Sequence, residues 1–275
     1  MTAPPQLSPQ LREALSRLSP RVAAGMVQTL QENLRPCLLV ESERVSQAPL
    51  HRGALGRMLG LRTDTPRLAL LDSKLGGTPY TTGPMPGGRW FLGQLNFAQL
   101  PPSVPGLPRQ GLLAVDGVRV RSAFGLSFTS RWYPRPSEEE AVAAQRVARF
   151  GRFEAVLRFR ESWSLPCWEE LAALLPEDAW WLSDDVDEWQ RESGMCDERC
   201  HRLGGHRSFG QDSLNVFEPP TGLSKDFREY EQLFRLNFDN AADFSWGSNQ
   251  VYLLVHREDL AAQRFDRLAF AVANG

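Results

Sequence analysis

The chain has 275 residues, 42% of them apolar and 23% charged, with 31 Lys+Arg set against 33 Asp+Glu. That apolar content, together with eight Trp, four Tyr and fifteen Phe, excludes a disordered chain. A globular chain of this length buries enough surface to fold without a disulfide or metal staple, and a formal net charge of −2 removes the simplest case for a nucleic-acid or polybasic membrane partner.

Residues 1–10 are polar and Pro-rich, without the basic start and apolar stretch of a signal peptide. No apolar run approaches the ~20 residues needed to cross a bilayer. Four cysteines are ordinary usage for reduced protein, so the expected compartment is the cytoplasm and no membrane partner is expected.

In chain order, Ser8-Pro9 and Ser19-Pro20 each place an N-cap hydroxyl before a proline, whose missing N–H costs nothing in a first helical turn. Leu11, Leu15 and Leu18 follow the first at helical spacing; Val22, Met26, Val27 and Leu30 follow the second, which Pro36 closes. Residues 37–41 and 68–71 read as strands. A breaker-rich stretch over 76–88 reads as a long loop. Strands are predicted at 90–97, 112–115, 118–120 and 124–133, with Asp116-Gly117 as a hairpin signal between two of them. Residues 153–160 alternate as a half-buried strand, 168–175 and 184–192 look helical, and 251–255 is the last strand expected.

Sliding the chain by 141 residues lays Leu92-Gly93-Gln94-Leu95-Asn96-Phe97 on Leu233-Phe234-Arg235-Leu236-Asn237-Phe238. The same register runs on without a gap to Gly106 over Gly247 and Leu112-Leu113 over Leu253-Leu254. A second word precedes each copy, Lys74-Leu75-Gly76-Gly77 and Arg202-Leu203-Gly204-Gly205. Chance matching of Leu and Phe is the plain alternative, but two ordered words and a shared glycine favour a diverged internal duplication. The expected fold is α+β, mostly antiparallel sheets from two diverged repeat units with N-terminal helices. The expected division is a helical segment over 1–36, a first unit over 37–135 and a second over 136–275, packed as one compact domain.

Cys196, Cys200, His201 and His206 have spacings that zinc ligands use. All four fall within eleven residues, whereas structural zinc sites draw pairs from two separate knuckles. The reading is a reduced thiol pair with solvated or hydrogen-bonded histidines, and no metal or cofactor is expected. Gly-x-Ser-x-Gly, a Walker loop, a dinucleotide glycine pattern and His-Glu-x-x-His are all missing, so no catalytic residue is assigned. Cys167 precedes a helix, where a thiol can be activated, but a buried small side chain is the simpler reading.

Residues 168–192 hold nine carboxylates against the single base Arg191, along with four tryptophans. Acid interleaved with aromatic surface is what a face for a basic protein partner looks like, which nominates Trp180, Trp181, Asp184, Asp185, Asp187, Glu188 and Trp189. The bland alternative is a solvated helix pair whose tryptophans pack inward.

The words Ser73-Lys74-Leu75-Gly76-Gly77 and Phe91-Leu92-Gly93-Gln94-Leu95-Asn96-Phe97, then Leu100-Pro101 and Gly111-Leu112-Leu113, resemble the bacterial YwqG-like family, a domain of unknown function. The likeness continues through His201-Arg202-Leu203-Gly204-Gly205, Gln211-Asp212, residues 233–239, Trp246-Gly247, Asp259-Leu260 and Phe265, covering roughly 60–270. Pro79-Tyr80-Thr81-Thr82 and Met85-Pro86 stand where the family has Pro-x-x-Pro and Trp-Pro, and Ser248 stands where it has an aspartate after Trp-Gly. Serine is a competent turn former, which favours a structural role there. The resemblance implies an α+β pseudo-repeat with no established activity or cofactor. Family members are associated with toxin–immunity loci, which implies a non-catalytic protein that binds and occludes a cognate toxin. The alternative is an enzyme or small-ligand binder with a pocket between the two units, lined by Lys74, Gln94, His201, Asp212 and Trp246. For Lys74 and Gln94, hydrogen bonds to loop carbonyls are the structural alternative.

Overall fold

The computed structural model describes residues 3–47, 68–85, 87–119, 125–141, 153–175, 177–195, 200–207, 214–237, 239–241 and 249–274. Five helices are described: α1 (Pro9–Ser16), α2 (Pro20–Glu32), α3 (Trp168–Ala172), α4 (Ser183–Glu192) and α5 (Arg257–Ala261). The two serine caps work as the sequence predicts: Ser8 Oγ accepts from Leu11 N at 3.2 Å and Ser19 Oγ from Val22 N at 3.4 Å. No helix among the described residues is long and apolar enough to cross a membrane.

Eleven strands form one sheet in the order β5-β4-β3-β2-β6-β1-β7-β9-β10-β11-β8. They are β1 (Arg35–Gln47), β2 (Lys74–Leu75), β3 (Arg89–Asn96), β4 (Leu112–Arg119), β5 (Leu126–Tyr133), β6 (Phe153–Ser164), β7 (His201–Gly204), β8 (Leu214–Glu218), β9 (Tyr230–Leu236), β10 (Asn249–His256) and β11 (Ala269–Asn274). Every ladder is antiparallel. The sheet curls until its far ends meet: the Phe128 ring on β5 lies 4.7 Å from that of Phe270 on β11, and Trp132 lies 4.9 Å from Phe265. The result is a sheet-rich α+β fold, a nearly closed barrel whose interior is filled by apolar side chains from both ends of the strand order.

The central pair β1–β6 carries a short meander on each side. Lys74↔Gln94 and Leu75↔Gly93 pair β2 with β3, while Arg202↔Arg235 and Leu203↔Phe234 pair β7 with β9. A bulge falls between Phe91 and Gly93 on β3 and between Gln232 and Phe234 on β9, so Leu92 and Leu233 are displaced alike. Beyond the bulge Leu95 pairs with Leu113 and Leu236 with Val251. The gapless sequence register therefore ends before the next strand: Leu113 occupies the ladder position of Val251, three residues from Leu254, because the intervening loops differ in length.

Three local expectations are corrected. Residues 68–71 form a turn, closed by Asp72 N to Ala69 O at 3.2 Å, because side chains rather than a neighbouring strand satisfy its carbonyls. Asp116-Gly117 is not a hairpin but lies inside β4, which joins the two strands predicted there. Arg131 binds the buried Asp116 carboxylate at 2.7 and 2.9 Å, and a Cβ on Gly117 would stand 2.0 Å from the Trp90 ring, so glycine is required for packing. The strand over 251–255 is not the last, since β11 follows it.

Outside the barrel, α1, α2 and α4 pack with Trp163, Leu165 and Met195 into a second apolar cluster. Loop residues Tyr80 and Met85 cover Phe91, Leu112 and Ala114 on the other side.

Candidate functional site

Of the pocket residues nominated from sequence, the three described ones, Lys74, Gln94 and His201, do not share one face of the sheet. Lys74 is fully buried, donating from Nζ to Ala69 O at 2.9 Å and facing Glu154 Oε1 at 3.8 Å. Gln94 accepts from Tyr80 N at 2.9 Å and donates to Leu70 O and Asp72 O at 2.6 and 2.8 Å. Both side chains fasten loop backbone beside the double-glycine turn. His201 is on β7, three strands from β2 and ~14 Å away at ordinary strand spacing. It shares a sheet face with Leu203, lining the barrel interior, whereas Lys74 and Gln94 sit on the opposite face. Its Nε2 contacts Asp239 Oδ2 at 2.7 Å and its Nδ1 accepts from Asn237 N at 3.1 Å, leaving the imidazole enclosed. Asp212, Trp246, Ser248 and Cys196 lie outside the described residues.

On the acidic segment, Trp189 is fully buried among α1, α2 and α4 and donates its indole N–H to Gln6 O at 2.9 Å. It is a core residue and presents no surface to a partner, which corrects its nomination as an anchor. Trp181 packs partly against the same cluster, and Trp180 lies in the 3-10 turn Glu177–Leu182 ahead of α4. Asp184 and Asp187 are exposed, Asp185 accepts from Gln10 at 3.4 Å, and Glu188 pairs with Arg191.

A different site emerges at one end of the barrel, where a cavity of about 670 Å³ opens between two regions distant in sequence. Its floor is Val104, Leu233 and Val255, all members of the barrel core, and Pro105, Leu107 and Leu260 extend that apolar wall. Arg35, Glu231 and Arg257 are the ionisable groups among the described lining residues. Arg257 Nε donates to Glu231 Oε1 at 2.8 Å, and Arg35 NH1 stands 3.5 Å from Glu231 Oε2. Behind them Gln232, 3% exposed, donates to Gly204 O at 2.9 Å while its buried Oε1 has no hydrogen-bond partner.

The rim is rigid for identifiable reasons. Gly204, at φ +71°, lets Val104 approach so closely that a Cβ would stand 2.6 Å from Val104 Cγ1, which seats the 104–107 loop on β7. The imidazole of His256 caps α5, accepting from Glu258 N at 3.3 Å. Asp259, on the buried face of α5, is held by Arg264 at 2.6 Å and Arg267 at 2.5 Å. Gln263 then closes α5 in the left-handed region at φ +53°, an uncommon conformation for a residue with a Cβ.

Charges of both signs act near the mouth. Burial and then the charge of Arg35, with Arg202 adding to it, push His206 down to about 4 even though its Nε2 bonds Asn33 O at 2.7 Å. Burial also lowers Arg207, against the opposing pull of Glu170 and Glu231, with Arg257 and Arg35 adding smaller like-charge contributions. Cys37 sits behind this region, its thiol raised to about 11 by burial despite nearby Arg202 and Arg235, so it is inert as a nucleophile.

The corresponding ladder position on the other side of the sheet is closed. Glu231 pairs with Val255 there, and Trp90 pairs with Gly117 here. The Trp90 ring lies over Gly117 and against Phe128, at 6.0 Å between centroids, and fills the space that Glu231 and Val255 leave open. Sequence reading missed Arg35, Glu231 and Arg257 because each is an ordinary charge on a separate element. The available signal was the 141-residue slide itself, which sets Glu231 over Trp90.

Fold and site together define a sheet-rich antiparallel α+β protein with an open barrel mouth among the described residues. A family model described as a domain of unknown function, DUF1963, matches residues 73–273, and the chain belongs to that family. No curated protein matches the sequence.

Proposed function

We propose that this protein is a non-catalytic binder of a small molecule in the barrel mouth, and that within its domain family it is YwqG-like. The observation that carries the reading is the mouth itself: about 670 Å³ with an apolar floor and few, fixed polar groups, which is the usual composition of a ligand site in a barrel. The cavity lies between the loop over 104–107 and strands β7, β9 and β10, hence between the two halves of a duplicated chain. Matching pairings at Lys74↔Gln94 and Arg202↔Arg235, and matching bulges at Leu92 and Leu233, support that duplication. Four cysteines in 275 residues fit a reducing, cytoplasmic setting. Occlusion of a toxin by the acidic segment is the weaker reading, because Trp189 is committed to the core.

The test is titration with N-phenyl-1-naphthylamine, a neutral apolar fluorophore. The expected result is saturable binding at one site by the native chain. Binding is lost in Glu231→Trp/Val255→Gly, which transplants the plug of the other half, and in Leu260→Trp, which narrows the mouth from α5. Undiminished binding in both folded variants would place the probe elsewhere and reject the cavity.

A further inference from the structure

We infer that the ligand of the barrel mouth is a monocarboxylate carrying an aliphatic or aromatic body, its head group taken by Arg35 and Arg257. The inference rests on the cavity being a binding site and adds the chemical class of what enters it.

The argument begins with charge. Among the described lining residues two guanidinium groups face one carboxylate, leaving one positive charge at the rim. Glu231 engages only part of each partner, NH1 of Arg35 and Nε of Arg257, so further N–H donors on both forks are left for a second anion. Planar forks match a carboxylate, and hydrogen bonds between charged groups are the stronger kind. A phosphate dianion would overcompensate a single positive charge and meet Glu231 at contact range, so the local balance selects a singly charged head.

Below the rim the surface changes character. Val104, Leu107, Leu233, Val255 and Leu260 offer no polar side-chain atom, and a charged or strongly polar tail would be desolvated there without compensation.

The experiment is displacement of N-phenyl-1-naphthylamine by octanoate, 1-octanol and octyl phosphate at pH 7. Octanoate is expected to displace the probe at a concentration about tenfold or more below that of octanol, the factor a charge-assisted hydrogen bond supplies. Arg35→Met/Arg257→Met should erase that advantage and leave octanol unchanged. Glu231→Gln, which frees both forks without touching the floor, should strengthen octanoate binding several-fold. Equal displacement by octanoate and octanol, a preference for octyl phosphate, or weaker octanoate binding in Glu231→Gln would each overturn the head-group assignment while leaving the cavity occupied. Failure of the neutral probe to bind at all rejects the cavity as the site, and the inference with it.

Discussion

The two sides of the central β1–β6 pair solve the same geometrical problem with different chemistry. At matching ladder positions the first side buries the pair Asp116 and Arg131, whereas the second has Leu254 and Ala271. The first sets Glu154 near Lys74, and the second sets Cys37 near Arg202. After the double glycine one has Thr78, the other His206. The first side balances its buried charges locally and plugs its barrel end with Trp90. The second leaves its end open beneath a rim with surplus positive charge. A buried ion pair and an apolar pair are thus interchangeable in this sheet, as desolvation arithmetic allows, provided both partners change together.

That equivalence can be broken most severely at Asp116. Asp116→Leu leaves the Arg131 guanidinium buried without its carboxylate and should cost about 3–5 kcal/mol, read from denaturant unfolding. Asp116→Leu/Arg131→Ala copies the other side and should cost less than the single change; equal losses would show that packing, not charge, sets the penalty.

The next effect belongs to His206. Its pKa in the folded chain is about 4 against 6.5 as the ordinary value, so the unfolded chain takes up a proton that the folded one refuses. The stabilisation is complete above pH 6.5 and is lost as pH falls toward 4, a difference of ~3 kcal/mol. His206→Thr, which installs the residue of the first side, should remove that part of the acid sensitivity. Unfolding free energies at pH 7 and pH 4 that change equally in both proteins would exclude His206 as its origin.

Gly117→Ala is the mildest probe. The added methyl collides with Trp90, and a cost of about 1–3 kcal/mol is expected from overpacking, measured as a fall in Tm. A neutral result would mean that Trp90 has room to swing aside, and that the plugged end is looser than its geometry.

Much of the architecture was legible in the amino-acid order. Serine-proline pairs marked both N-terminal helices, and the two repeated words fell on β2–β3 and β7–β9. β11 was not legible because Ala269, Ala271 and Ala273 carry no strand preference; they are selected by lack of room beneath Tyr252 and Leu254. Asp116-Gly117 misled for a related reason. Turn chemistry and strand chemistry share those residues, and only the distant Arg131 and Trp90 decide between them. Lys74 and Gln94 were correctly marked as unusual, yet what makes them unusual is the loop backbone they satisfy. The cavity rim was invisible to motif reading because no two of Arg35, Glu231 and Arg257 are near in sequence.

The long central ladder has a kinetic corollary. β1 and β6 join distant parts of the chain, with Glu43 and Arg158 separated by 115 residues, whereas β3, β4 and β5 follow one another directly. Loop closure on that scale must be met before any cross-seam contact rewards it. The local meanders therefore have the entropic advantage early, and the seam that neither side can complete alone sets the slow step of folding.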